Sequence, residues 1–181
     1  MTTTTSISAP ALFRQQVLDA RNFLEETMKD VTADQASWNP GGQAMSIGAN
    51  YAHIITSQDV GLHGLLKGAA PLIASTWAGR AGLSEPPPFG PGTDLHGWAN
   101  KVTIDLPALR QYAQAVYDAT DEFTATLDEG GLTRTLDLSA IGLGEQPASF
   151  ILNAGWVANV SMHTGEISCL KGLGGAKGYP L

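Results

Sequence analysis

The sequence predicts an all-α protein, a four-helix bundle with up-down-down-up topology. Three observations predict it. Four segments of about twenty residues carry apolar side chains at helical spacing. No segment of any length alternates polar and apolar residues as a half-buried strand does. Helix-starting residues stand where these segments begin, and glycines stand where they end.

The first helix is predicted over about 11–29. Pro10 suits its first turn, where the missing N–H costs nothing. Leu12, Val17, Leu18, Phe23 and Leu24 form its apolar side, and Asn39-Pro40-Gly41-Gly42 breaks the pattern after it. Ser46 is a good N-cap for the second helix, over about 47–67, whose apolar residues are Ile47, Tyr51, Ile54, Ile55, Leu62 and Leu65. Gly68 is its stop. A long connection follows over about 69–104, with Pro86-Pro87-Pro88 inside it and a short helix near 95–101. Connections of this length are often functional. This one is long enough to cross the bundle lengthwise, which makes the second and third helices parallel.

Asp105 caps the third helix and Pro107 falls in its first turn. That helix runs to about Leu127, with Leu109, Tyr112, Val116, Phe123 and Leu127 on its core side and Gly130-Gly131 as its stop. The next connection holds a brief extended piece at about 135–138. The fourth helix spans about 148–171, and the glycines of the tail forbid its continuation. The chain reads as one domain over residues 1–181, with a frayed low-complexity start over residues 1–8.

Composition removes several function classes. The chain has 181 residues, 43 % hydrophobic and 15 % charged, a globular profile. Its 10 Lys and Arg against 17 Asp and Glu give a net charge of −7, so it lacks the basic footprint that nucleic-acid or anionic-membrane binding requires. No apolar run is long enough for a membrane span, and the N-terminus does not read as a signal peptide. The single cysteine, Cys169, excludes an internal disulfide and allows a reducing compartment. A cytoplasmic location is therefore expected.

The chemistry points to the fourth helix. At 100° per residue, His163 falls at the centre of the stripe made by Leu152, Trp156, Val160, Ile167 and Leu170. Asn159 and Glu166 lie close to the same face. Buried polar groups cost about 1–3 kcal/mol each unless paired, so this trio needs a metal ion, a ligand or another helix as partner. His53 on the second helix is the natural candidate, with Ser57, Val60 and Gly64 at following turns leaving space beside it. The plainer alternative is a satisfied core histidine, with Glu166 pairing Lys171 or solvent. His63 and His96 are weaker candidates, and Cys169 reads as a structural thiol. The four tryptophans read as core or pocket walls.

Two stretches, SWNPGGQAMSIGANYAHI at 37–54 and NVSMHTGEI at 159–167, together with the spacing of the four helices, resemble the DinB/YfiT-like superfamily of metalloenzymes. The resemblance implies the up-down-down-up bundle and a homodimer. It also implies a divalent ion, nickel or zinc, held by three histidines, one on the second helix and two on the fourth. Carried over, His53 is the first ligand and His163 the third. Asn159 stands where the middle histidine would be, and an amide oxygen is a poor ligand for nickel or zinc. The triad is incomplete, and Glu166 is the candidate substitute. The resemblance further implies a low-molecular-weight thiol as cosubstrate and a thiol-dependent S-transferase or a hydrolase acting on a small molecule. The alternative is a non-catalytic small-ligand-binding or scaffold bundle that has lost its metal.

Overall fold

The computed structural model describes residues 7–180; of the start expected to fray over residues 1–8, residues 1–6 lie outside them, and Ser8 caps the first helix. Helix α1 (Ala9–Met28) starts at Ser8, whose hydroxyl accepts from Ala11 N, with Pro10 in the first turn. Its core side is Phe13, Val17, Leu24 and Met28. Leu12, expected to be buried, stays 46 % exposed, because Phe13 takes the inward position beside it. Helix α2 (Ala33–Ser37) stands between the first helix and the break at Asn39-Pro40-Gly41-Gly42, where no helix was expected. Thr32 and Gln35 close a reciprocal capping box at its start.

Helix α3 (Ile47–Asp59) starts at Ser46, whose hydroxyl takes Ala49 N. It continues as a π-helical segment over Val60–Leu66, and Gly68 then turns the chain with φ +61°. The crossover carries a short 3₁₀ turn at Leu72–Ala74 and helix α4 (Leu95–Ala99). Its end is drawn against the bundle at Gly82, whose carbonyl accepts from Asp105 N. Gly82 has φ +74°, and a Cβ there would run into Leu109 N and Asp105 O, so glycine is required.

Helix α5 (Leu106–Ala125) is capped by Asp105 and buries Leu109, Tyr112 and Val116 as expected. It ends before Leu127. Gly130-Gly131 does not stop it; both glycines lie inside helix α6 (Glu129–Thr133), where Asp128 caps by accepting from Gly131 N. Strands β1 (Thr135–Asp137) and β2 (Glu145–Pro147) then form a small antiparallel hairpin, pairing Leu136 with Gln146. The extended piece expected at 135–138 is β1. The last helix begins as α7 (Ala148–Asn153), passes through a π-helical segment at Ala154–Ala158, and continues as α8 (Asn159–Leu173).

The four long helices enclose the core as a ring of contacts: α8 packs on α3 and α1, and α5 packs on the same two. One apolar cluster gathers α3, α5, α8 and the end of α1 around Tyr51, Ile55, Leu109, Val116 and Ile167. A second gathers Phe13, Leu62, Leu136, Leu152 and Trp156 at the other end. A single carboxylate ties the crossover to this frame. Asp59 is fully buried and accepts from Leu72 N and Ile73 N, each at 2.8 Å, and from the Tyr112 hydroxyl at 2.6 Å. His63 Nδ1 lies 2.8 Å from its other side. No described helix is long and apolar enough to cross a membrane.

Candidate functional site

His53 projects from α3 and His163 from α8, the helix pair in most extensive contact. Their rings meet edge to face with centroids 4.9 Å apart. The two histidines that the sequence paired are thus in contact across the helix interface.

His163 does not occupy the centre of the buried face of α8. Thr164 and Lys171 do, at 1 % and 4 % exposure, and the His163 side chain sits at the margin. The reason lies in the backbone. A wheel of constant 100° steps fails across Ala154–Ala158, where the wider π-helical turn rotates the face of Leu152 and Trp156 relative to that of α8. The marginal position suits a site, since it leaves the ring reachable.

Two acceptors meet His163 Nδ1: Asn50 Oδ1 at 3.0 Å and Glu166 Oε2 at 2.7 Å. Asn50 is held in that orientation because its Nδ2 donates to the Ser46 and Met45 carbonyls at the start of α3. In the neutral imidazole the proton therefore sits on Nδ1, and Nε2 keeps a free lone pair. Asn50 escaped the sequence reading. Its signal was a polar residue in the first turn of a helix, three positions before His53 on the same side.

Burial pushes His53 down to about 4, and the nearby His163 adds to the shift. Glu166 and a hydrogen bond with the Asn159 side chain oppose it. His53 is therefore neutral at pH 7. The Asn159 Nδ2, buried, has no hydrogen-bond partner among the described residues.

The pair stands between two clefts. Asn50, His163 and Glu166 line one of about 480 Å³, which His96 and Cys169 also reach. His53 and Asn159 line another of about 280 Å³, walled by Phe89, Leu143 and Ile151. Pro86, Pro87 and Pro88 of the crossover close over His53 and enclose a small cavity of about 40 Å³, room for one water. Of the weaker candidates, His96 stands on a cleft wall and His63 is spent on Asp59. Cys169 is exposed, so its thiol is not part of the core. Lys171 takes Thr27 O and Asp30, not Glu166.

Among the described residues, no three His, Cys, Asp or Glu side chains are grouped to hold a metal ion. The donor set is two imidazoles in contact, with an amide at the position of a third. Glu166 sits behind His163 on Nδ1, as a partner that orients the ring. Such a set does not make a closed three-histidine centre, and two imidazoles remain as candidate donors.

The model of the DinB superfamily matches residues 16–167. The chain belongs to the DinB superfamily. A solved structure described as a conserved protein from Enterococcus faecalis shares the fold, with TM-score 0.76 at 19 % identity, over 93 % of this chain and 98 % of that one. No curated protein matches. The matched span of the superfamily model includes His53, Asn159, His163 and Glu166, and so both helices that build the site.

Proposed function

We propose that this chain is a metal-dependent DinB-superfamily enzyme acting on a small molecule, with a divalent ion, zinc or nickel, held by His53 and His163. The observation that carries this reading is the pair of acceptors on His163 Nδ1. A carboxylate or amide oxygen behind a ring, turning its Nε2 lone pair outward, is the usual support of a metal-ligating histidine. His53, neutral at pH 7, likewise needs no proton removed before it can donate a lone pair. When bound, the ion supplies Lewis acidity and lowers the pKa of a coordinated thiol or water.

The chain's own residues would do the rest. Asn50 and Glu166 hold the His163 ring in orientation. Asn159, beside His53, presents its unpaired amide N–H groups to the small molecule. Pro86, Pro87 and Pro88 keep bulk water from one side of His53. With a low-molecular-weight thiol as cosubstrate the reaction is an S-transfer, and with water it is a hydrolysis. The family resemblance also favours the up-down-down-up arrangement, a homodimer and a cytoplasmic location.

Metal analysis of untagged protein after supplementation with zinc, nickel or manganese tests the reading. One ion per chain is expected, lost in His163→Ala; no stoichiometric metal under any supplement contradicts it. A second reading, a bundle that binds small molecules without an ion, draws support from the two-imidazole donor set and the amide at position 159. It predicts no ion in the parent chain and a metal-binding Asn159→His variant, in which the third imidazole is restored.

A further inference from the structure

We infer that the cleft beside His53 is a binding site for an uncharged molecule with an apolar body and a carbonyl-type oxygen, such as a ketone, ester or amide. The inference rests on the reading that this is a working site, and it does not require the ion.

Two unpaired donors belong to residues that line it. Asn159 Nδ2 and Trp156 Nε1 are both buried and both lack a hydrogen-bond partner among the described residues. Both residues line the same cleft of about 280 Å³. Leaving a buried donor unpaired forfeits its hydration with nothing in return, and native interiors seldom tolerate one without a reason. Here two flank a single space. Trp156 is fully buried and cannot swing to another partner, since its ring is held between Phe13 at 6.4 Å and Phe123 at 5.8 Å. Gly61 faces the same nitrogen: a Cβ there would stand 3.8 Å from Nε1, at ordinary contact distance.

The remaining lining sets the rest of the ligand. Leu65, Phe89, Leu143 and Ile151 supply apolar walls, and Phe89 and Leu143 are exposed at 48 % and 42 %, as rim residues of an apolar site are. No Lys or Arg lines the cleft. A carboxylate would enter without a counter-charge and would be penalised by desolvation. A neutral carbonyl oxygen can accept from both N–H groups while its apolar part covers the walls.

Acetophenone, ethylbenzene and benzoate form a matched probe set: neutral acceptor, no acceptor, charged acceptor. Each is titrated into chelator-treated protein and followed by the Trp156 indole N–H signal in ¹⁵N–¹H spectra. That signal is assigned by elimination with Trp38→Phe, Trp77→Phe and Trp98→Phe. Acetophenone is expected to shift it saturably and to bind at least about tenfold more tightly than ethylbenzene or benzoate, since pairing one buried donor is worth about that much. Asn159→Leu should abolish the preference. Equal binding of acetophenone and ethylbenzene, or an unmoved Trp156 signal, would overturn the assignment. If acetophenone binds as stated and zinc does not bind, the metal reading alone fails; if zinc binds and acetophenone does not, this one fails.

Discussion

Helix α3 and its π-helical extension carry two buried polar clusters one and a half turns apart, and they are built to opposite ends. Around Asp59 every polar group is paired: two backbone N–H groups, a tyrosine hydroxyl and a histidine converge on one fully buried carboxylate. Around His53 the pairing is incomplete. Among the described residues Asn159 Nδ2 and Trp156 Nε1 have no partner, the ring of His163 keeps the lone pair of Nε2, and clefts reach the cluster from both sides. Closed networks fix structure, and open ones leave valence for a ligand. The two histidines of α3 and its extension, His53 and His63, are of one residue type, and only their surroundings separate a candidate ligand from a structural group.

Breaking the closed cluster should have the largest effect. Asp59→Ala leaves three donors without their acceptor, each costing about 1–3 kcal/mol, and releases the crossover from the bundle. Urea unfolding is expected to show a loss of at least about 3 kcal/mol, and a loss under about 1 kcal/mol would mean that the network carries little of the fold.

Acid should act on the open cluster next. His53 titrates near 4 in the folded chain and near 6.5 when unfolded. The unfolded state therefore binds the extra proton first as pH falls, and stability declines between about pH 6.5 and 4. By pH 5 the decline should reach about 1–2 kcal/mol relative to pH 7, and His53→Gln should remove that component. A slope unchanged in His53→Gln would place the titration elsewhere.

Asn50→Leu sharpens the contrast with the smallest cost to the fold. It removes one of the two acceptors that orient His163 and keeps the volume. Zinc affinity is expected to fall about tenfold, the range typical of losing a ligand-orienting partner, while the unfolding midpoint moves little.

The sequence exposed the frame because the frame is local. Ser46 and Asp105 announce helix starts by their own side chains, and the apolar spacing carries each helix to within a few residues of its end. Short helix α2 was legible too, in the Thr32–Gln35 box, but five residues give no periodicity to follow. Gly130-Gly131 misled because Asp128 makes the pair a helix start. The members of the candidate site were legible, since Asn159, His163 and Glu166 share one face of the fourth helix and His53 stands across from them on the second. Its wiring was not. The Asn50–His163 bond joins residues 113 positions apart, and a π-helical turn leaves no residue signature, so the rotation that moves His163 to the margin of the core cannot be read from a wheel. The i,i+4 spacing pairs His63 with Asp59, but no local pattern assigns His53 to the cleft.

Imidazole ¹⁵N spectra during a zinc titration of the untagged chain test the central claim most directly. The structure predicts that His163 carries its proton on Nδ1 before zinc is added. At one equivalent of zinc, its Nε2 and one nitrogen of His53 should shift together, with His63 and His96 unmoved. A proton on His163 Nε2, or zinc shifts confined to His63 or His96, would contradict it.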